Sequence, residues 1–268
     1  MDLVTAPARD RAVQVVAHRG SSDDAPEHTL SAYKVAIADG ADALECDVRL
    51  TRDGHLVCVH DRRINRTSNG RGVLSTLELA ELEGLDWGSW RDTWEDFEDP
   101  EQPDRDRQRI LTLRRLLQAV ADADRPVQLA IETKHPTRYA GLVETRLVHL
   151  LDEFGWAGVR SPVRVMSFSQ VSLRRMRDLA PDLATVLLME RVPLRFRDGS
   201  LPPYVRLAGP SIEIVRAHPR YVERVHARGH QVHVWTVDDE ADIALCLELG
   251  VDAIITNRPR AVLTAVGR

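Results

Sequence analysis

From Val127 to Thr256, short apolar runs rich in β-branched residues alternate with amphipathic helical segments, and few folds accept that rhythm. The runs Val127–Glu132, Val163–Phe168, Ala184–Leu188, Ile212–Val215, Gln231–Val237 and Ala253–Thr256 read as strands. Segments 138–154, 171–179, 219–227 and 240–249 between them read as helices. Consecutive strands separated by helices must run parallel, each helix crossing back over the sheet. Upstream, Val13–Ala17 and Ala43–Leu50 add two strands around a helix that Thr29 can cap and Gly40 can stop. About eight parallel strands close a barrel. The expected fold is therefore an α/β, TIM (β/α)8 barrel. An open doubly wound sheet is the runner-up, weakened by the lack of a Gly-rich phosphate loop after the first strand. The chain has 268 residues, room for one such barrel, and residues 1–268 are expected to form a single domain.

One stretch departs from the rhythm. Ala43–Asp61 holds a strand, an Asp53-Gly54 turn and a second apolar run, Leu56–Val59, so it predicts an extra hairpin arm. A fold-back at Asp53 would put Asp47 and His60 at about the same height. Glu45 and Asp47, two apart, point to one face of their strand. Two carboxylates on one face of an apolar strand are costly to bury without a positive partner. Oxygen-only ligands favour a hard divalent cation, Mg²⁺ or Ca²⁺. After the hairpin, residues 61–109 read as a small insertion. Its second half is charged, poor in aliphatics and expected to be mobile towards Pro100–Arg107. Trp87, Trp90 and Trp94 fall at helical spacing, as a stripe that docks the insertion or, alternatively, as a lid or lipid-facing patch.

In a barrel of parallel strands, polar residues at the C-terminal strand ends converge on one mouth. Here these are His18 and Arg19, Glu45 and Asp47, Glu132 and Lys134, Trp235 and Asn257, with His60 brought in by the hairpin. Glu132 completes three carboxylates for one cation. Arg19 and Lys134 add fixed positive charge for a phosphate oxyanion. His18 and His60 are available as general acid and base. That set suits phosphodiester cleavage. The plainer readings are hydrogen-bonded core histidines, a Glu132–Lys134 ion pair at the rim, Trp235 as filler and Asn257 as a loop cap. His28, His55, His135, His149, His218, His226, His230 and His233 are read as surface or packing residues.

Other classes are disfavoured. There is no G-x-S-x-G elbow, Walker loop, paired C-x-x-C or H-E-x-x-H. A net charge of −5 argues against nucleic acid as partner. Three cysteines suggest buried thiols in a reducing compartment. With no transmembrane or signal-like apolar run, a cytoplasmic location is expected. The oligomeric state has no signature in the sequence.

The segment Ala17–Asp61, with Thr67–Leu82, IETK at 131–134, VHVWTV at 232–237 and DAIITNRP at 252–259, resembles the glycerophosphodiester phosphodiesterase family over essentially the whole chain. The resemblance implies a TIM barrel with an insertion after the hairpin. It implies metal-dependent hydrolysis of glycerophosphodiesters, such as glycerophosphocholine or glycerophosphoethanolamine, to sn-glycerol 3-phosphate and an alcohol. A glycerol hydroxyl may serve as internal nucleophile in that family's reaction. By matching position, Glu45, Asp47 and Glu132 would be metal ligands, His18 and His60 the acid–base pair, and Arg19, Glu27, Lys134 and Trp235 substrate-binding. Two departures from the family pattern are His28 in Pro26-Glu27-His28-Thr29 and Asn257 in Thr256-Asn257-Arg258-Pro259. The alternatives are a lysophospholipase D-type activity, with the tryptophans lining an acyl groove, and a non-catalytic phosphodiester-binding barrel.

Overall fold

A computed structural model describes residues 12–91 and 105–268. Nine strands are present among them: β1 (Gln14–His18), β2 (Ala43–Leu50), β3 (Leu56–Cys58), β4 (Gln128–Thr133), β5 (Val163–Ser167), β6 (Ala184–Met189), β7 (Leu207–Pro210), β8 (Gln231–Val234) and β9 (Ala253–Thr256). Eight of them pair in parallel in the order β1-β2-β4-β5-β6-β7-β8-β9, and β9 returns to β1 to close the ring. β3 is the exception, an antiparallel arm on β2. No described helix is long and apolar enough to cross a membrane.

The closed ring sorts side chains by strand parity. Even positions of β2, such as Leu44, Cys46 and Val48, face outward into the layer under the helices, together with Leu116, Leu117 and Leu147. The helix Leu113–Ala121 shows why: Leu113, Leu116, Leu117 and Val120 recur at helical spacing and are all buried. Each such leucine is worth about 2 kcal/mol of burial. Inward positions Val16, Ala43, Ala130, Met166, Val186 and Ile255 pack together as an apolar plug across the barrel. The polar strand ends stand on that plug.

Local signals account for the first βα unit. The Thr29 side chain accepts from the Ala32 amide and caps the helix Leu30–Asp39, and Gly40 ends it in the left-handed region. Gly20, at φ +86°, makes the turn out of β1. A Cβ there would lie 2.7 Å from the Ala32 carbonyl carbon and from its Cβ. Gly20→Ala is therefore expected to cost about 1–3 kcal/mol, read as a lower denaturant midpoint at unchanged m-value. An unchanged midpoint would show that the turn yields freely.

The insertion has its own small core. Ile64, Leu74, Leu82, Trp87 and Ile110 pack on Val57 and Val59, so β3 is the hinge between barrel and insertion. Trp87 is a docking residue, as the stripe reading expects, with its indole N–H donating to the Leu82 carbonyl. Trp90 is exposed and Trp94 lies outside the described residues. Of the run expected to be mobile, Arg105–Gln108 is a helical turn, tied down by Asp106 to Lys34 at 2.6 Å and Arg115 at 2.5 Å.

Three local expectations need correction. Ile212–Val215 is helical, not a strand; the seventh barrel strand is Leu207–Pro210. Its Gly209 fits where a Cβ would meet Leu188 at 2.8 Å, and the β-branched residues after it serve a helix face instead. Asp47 lies opposite Val59, whose amide donates to its carbonyl, so His60 falls beyond the pairing. The helix expected from Arg138 begins at Leu142.

Candidate active site

His18, Arg19, Glu45, His60, Glu132, Lys134 and Trp235 line one cavity of about 220 Å³ at the C-terminal mouth of the barrel. β1 delivers the first two, β2 and β4 the carboxylates, and the segment after β3 delivers His60. Asp47 sits beneath them, 1% exposed, in contact with three basic groups: Arg19 Nε at 3.2 Å, Lys134 Nζ at 3.0 Å and His28 Nε2 at 2.9 Å. Lys134 also reaches Glu132 Oε1 at 2.8 Å, so the pair is a buried bridge rather than a rim ion pair.

Among the described residues, Glu45, Asp47 and Glu132 form the one group that offers ligand oxygens within 4.8 Å of one another, all buried. Their electrostatics test whether a cation fits. Asp47 is held well below the usual carboxylate range despite its burial, by Lys134 and then by the His28 hydrogen bond. Burial, and then the Asp47 charge, push Glu45 well up and Glu132 up to about 8. The pocket thus resists a full set of carboxylate charges as it stands. A divalent cation among these oxygens would reverse that resistance, so the donor set fits a hard metal ion.

Each histidine is held by one ring nitrogen. His18 Nδ1 lies 2.7 Å from Asn257 Oδ1. The Asn257 amide nitrogen donates to Asp238 and its oxygen accepts from Ser22, so the His18 Nδ1 must carry the hydrogen and Nε2 the lone pair. Burial, and then Arg19, lower the His18 pKa to about 4, which keeps the ring neutral. His60 Nδ1 lies 2.7 Å from Asp61 Oδ1, and Asp61 is itself held to about 2, against burial, by Arg66 and His60.

Glu27 does not line the cavity. It stands behind Arg19 at 2.9 Å and takes a two-pronged contact from Arg66 at 2.7 and 2.8 Å. Those contacts hold its pKa to about 2 against the opposing effect of burial. Arg66 bonds Asp61 as well, at 2.8 Å, so one arginine of the insertion braces both Arg19 and His60. Arg91 adds a second brace, donating to the carbonyls of Ser22, Asp23 and Ala25 in the loop after β1. The Trp235 N–H is engaged by the Gly209 carbonyl at 2.7 Å, leaving its ring, with Phe168 edge-on at 5.4 Å, as an apolar wall.

Several residues escape a reading of the sequence. His28 is no packing residue: it is 5% exposed and joins Asp47 to the Tyr33 hydroxyl. Its position directly after Glu27 in the loop was the available signal. His226 and His135 also have carboxylate partners, Asp252 at 2.8 Å and Glu144 at 3.0 Å. Asn257 orients a histidine rather than capping a loop. Arg66 carried no signal, since its partner Glu27 is 39 residues away. Neither Trp87 nor Trp90 lines the cavity, so no acyl groove forms from them there.

Comparison with known proteins agrees with this geometry. The model of the glycerophosphoryl diester phosphodiesterase family matches residues 18–261. A Mycobacterium tuberculosis protein named probable glycerophosphodiester phosphodiesterase 1 is 47% identical over 249 residues, covering 91% of this chain and 89% of its own. A Caldanaerobacter subterraneus glycerophosphodiester phosphodiesterase is 33% identical, with 94% and 97% covered. Among solved structures, an Oleispira antarctica phosphodiesterase in complex with the product sn-glycerol-3-phosphate has a TM-score of 0.80 at 26% identity, covering 95% of this chain and 97% of its own.

Proposed function

The chain belongs to the glycerophosphoryl diester phosphodiesterase family, and on that premise we propose how its barrel mouth cuts a substrate. It hydrolyses glycerophosphodiesters, taking up water and releasing sn-glycerol 3-phosphate and an alcohol. The assignment of roles is our reading. The observation that carries it is a triad of buried carboxylates flanked by Arg19 and Lys134, with two histidines each anchored through Nδ1.

Glu45, Asp47 and Glu132 would hold the divalent cation, Mg²⁺ or Ca²⁺. When bound, the ion supplies Lewis-acid polarisation of a phosphoryl oxygen. Arg19 and Lys134 hold the phosphate oxygens and stabilise charge as it builds there. His18 is the base: its neutral ring and free Nε2 lone pair suit removal of the proton from the attacking hydroxyl. His60 is the acid: Asp61 beside it supports an imidazolium that gives its proton to the leaving alcohol oxygen. One P–O bond forms and one breaks, and a single proton is taken up and returned. Glu27 acts as a positioning residue for Arg19, and Trp235 offers its ring to the glycerol carbons. The same reading takes the chain as one domain, with residues 61–109 inserted.

The test is glycerol 3-phosphate release from glycerophosphocholine with Mg²⁺, with Ca²⁺ and with a chelator, beside a His18→Ala variant. Turnover is expected to require both metal and His18. Chelator-resistant turnover would sink the metal assignment, and an active His18→Ala variant would sink the base.

A further inference from the structure

Beside the catalytic cavity lies a second pocket of about 440 Å³, and Lys134 lines both. It is formed between the end of β2, the Val73–Thr76 part of the insertion and the loop after β4. Four of its lining residues are cationic (Arg49, Arg62, Lys134 and Arg138) and none is acidic. The composition of the chain runs the other way, with 41 acidic residues against 36 basic ones. Other arginines near the mouth are engaged: Arg19 and Arg66 by carboxylates, Arg49 by the His60 carbonyl. Arg62 and Arg138 have no carboxylate partner among the described residues, and Arg138 lies only over the ring of its neighbour Tyr139. Like charges gathered without a counter-charge raise one another's free energy, and a bound anion relieves it. The hydroxyls of Ser75 and Thr137 add donors to the same pocket.

The position of the pocket says which part of a substrate reaches it. Lys134 follows β4, and β8, which leads into Trp235, is the fourth strand on around the ring of eight, so the two stand across the mouth. The apolar wall of Trp235 and Phe168 suits the glycerol unit that all these substrates share. The basic pocket is then left to the variable alcohol. We propose that it is a subsite for a leaving alcohol that carries a phosphate monoester of its own, so that the preferred substrates are glycerophosphodiesters of phosphorylated polyols. Paired guanidiniums are the side chains best matched to such a dianion. The inference rests on the phosphodiesterase reading of the mouth.

The experiment compares kcat/KM for glycerophosphoinositol, glycerophosphoinositol 4-phosphate and glycerophosphocholine. The second differs from the first only by the added phosphate. Wild-type protein is expected to favour the phosphorylated polyol by about tenfold or more, the scale of a charge-assisted contact. An Arg62→Ala/Arg138→Ala variant is expected to lose that preference and to keep its turnover of glycerophosphocholine. Equal values for the two inositol substrates in the wild type, or a preference that survives the double substitution, would overturn the subsite while leaving the phosphodiesterase reading intact. No turnover of any of the three by the wild type would overturn that reading, and the subsite with it.

Discussion

His60→Ala is expected to lower kcat by ~10³-fold, the middle of the range for a lost general acid. KM should change little, because the phosphate is held by Arg19 and Lys134, which the substitution leaves in place. Stability should barely move. His60 is 36% exposed, and the carboxylate it leaves behind, Asp61, keeps Arg66 as a partner at 2.8 Å. That combination of a collapsed kcat with a near wild-type melting temperature separates a proton donor from a structural histidine. A variant that keeps a tenth or more of wild-type kcat would remove His60 from the mechanism. Adding His18→Ala should cost much less than a second such factor, since two residues working on one proton path are not additive.

Asp47→Asn is expected to have the largest effect on stability of any single change at the mouth. Three basic groups converge on that carboxylate, which is 1% exposed. Breaking a buried ion pair by neutralising one partner costs about 3–5 kcal/mol. Here Lys134 retains Glu132 and Arg19 retains Glu27, which places the cost at the lower end, about 3 kcal/mol. For a chain of this size that is a fall of about 6–12 °C in melting temperature. The melt belongs in chelator, so that loss of metal binding does not add to the difference. A fall of under about 2 °C would show that the three contacts contribute little net energy. Turnover should vanish in either case, because Asp47 is also assigned as a metal ligand.

The sequence made the barrel legible through its rhythm and through the polar ends of its strands. Ala253–Thr256 is found where the pattern puts it, and the Thr29 cap and Gly40 stop follow from local chemistry alone. β7 was hidden because it is four residues long and ends in Gly209-Pro210, while the β-branched residues that mimic a strand lie just beyond it on a helix. Within the site, the groups at strand ends could be read, because strand parity fixes where they point. The groups that hold them could not. His28 on Asp47, Arg66 on Glu27 and Asp61, and Asn257 on His18 are meetings of loops, set by how the insertion and the last strand come to rest on the first. No periodicity records such contacts.

The seam of the barrel gives the His18–Asn257 contact a wider meaning. The two residues are 239 apart in sequence and stand just past the last register pair of β1 and β9, Ala17 and Thr256. The base is therefore aligned by an amide that arrives only when the ring shuts. A nascent chain still lacking β9 can form most of its helices and strands and yet hold a histidine free to spin. Competence is thus withheld until synthesis is all but complete, and a growing polypeptide on the ribosome is spared from acting before it has a finished mouth to confine the reaction.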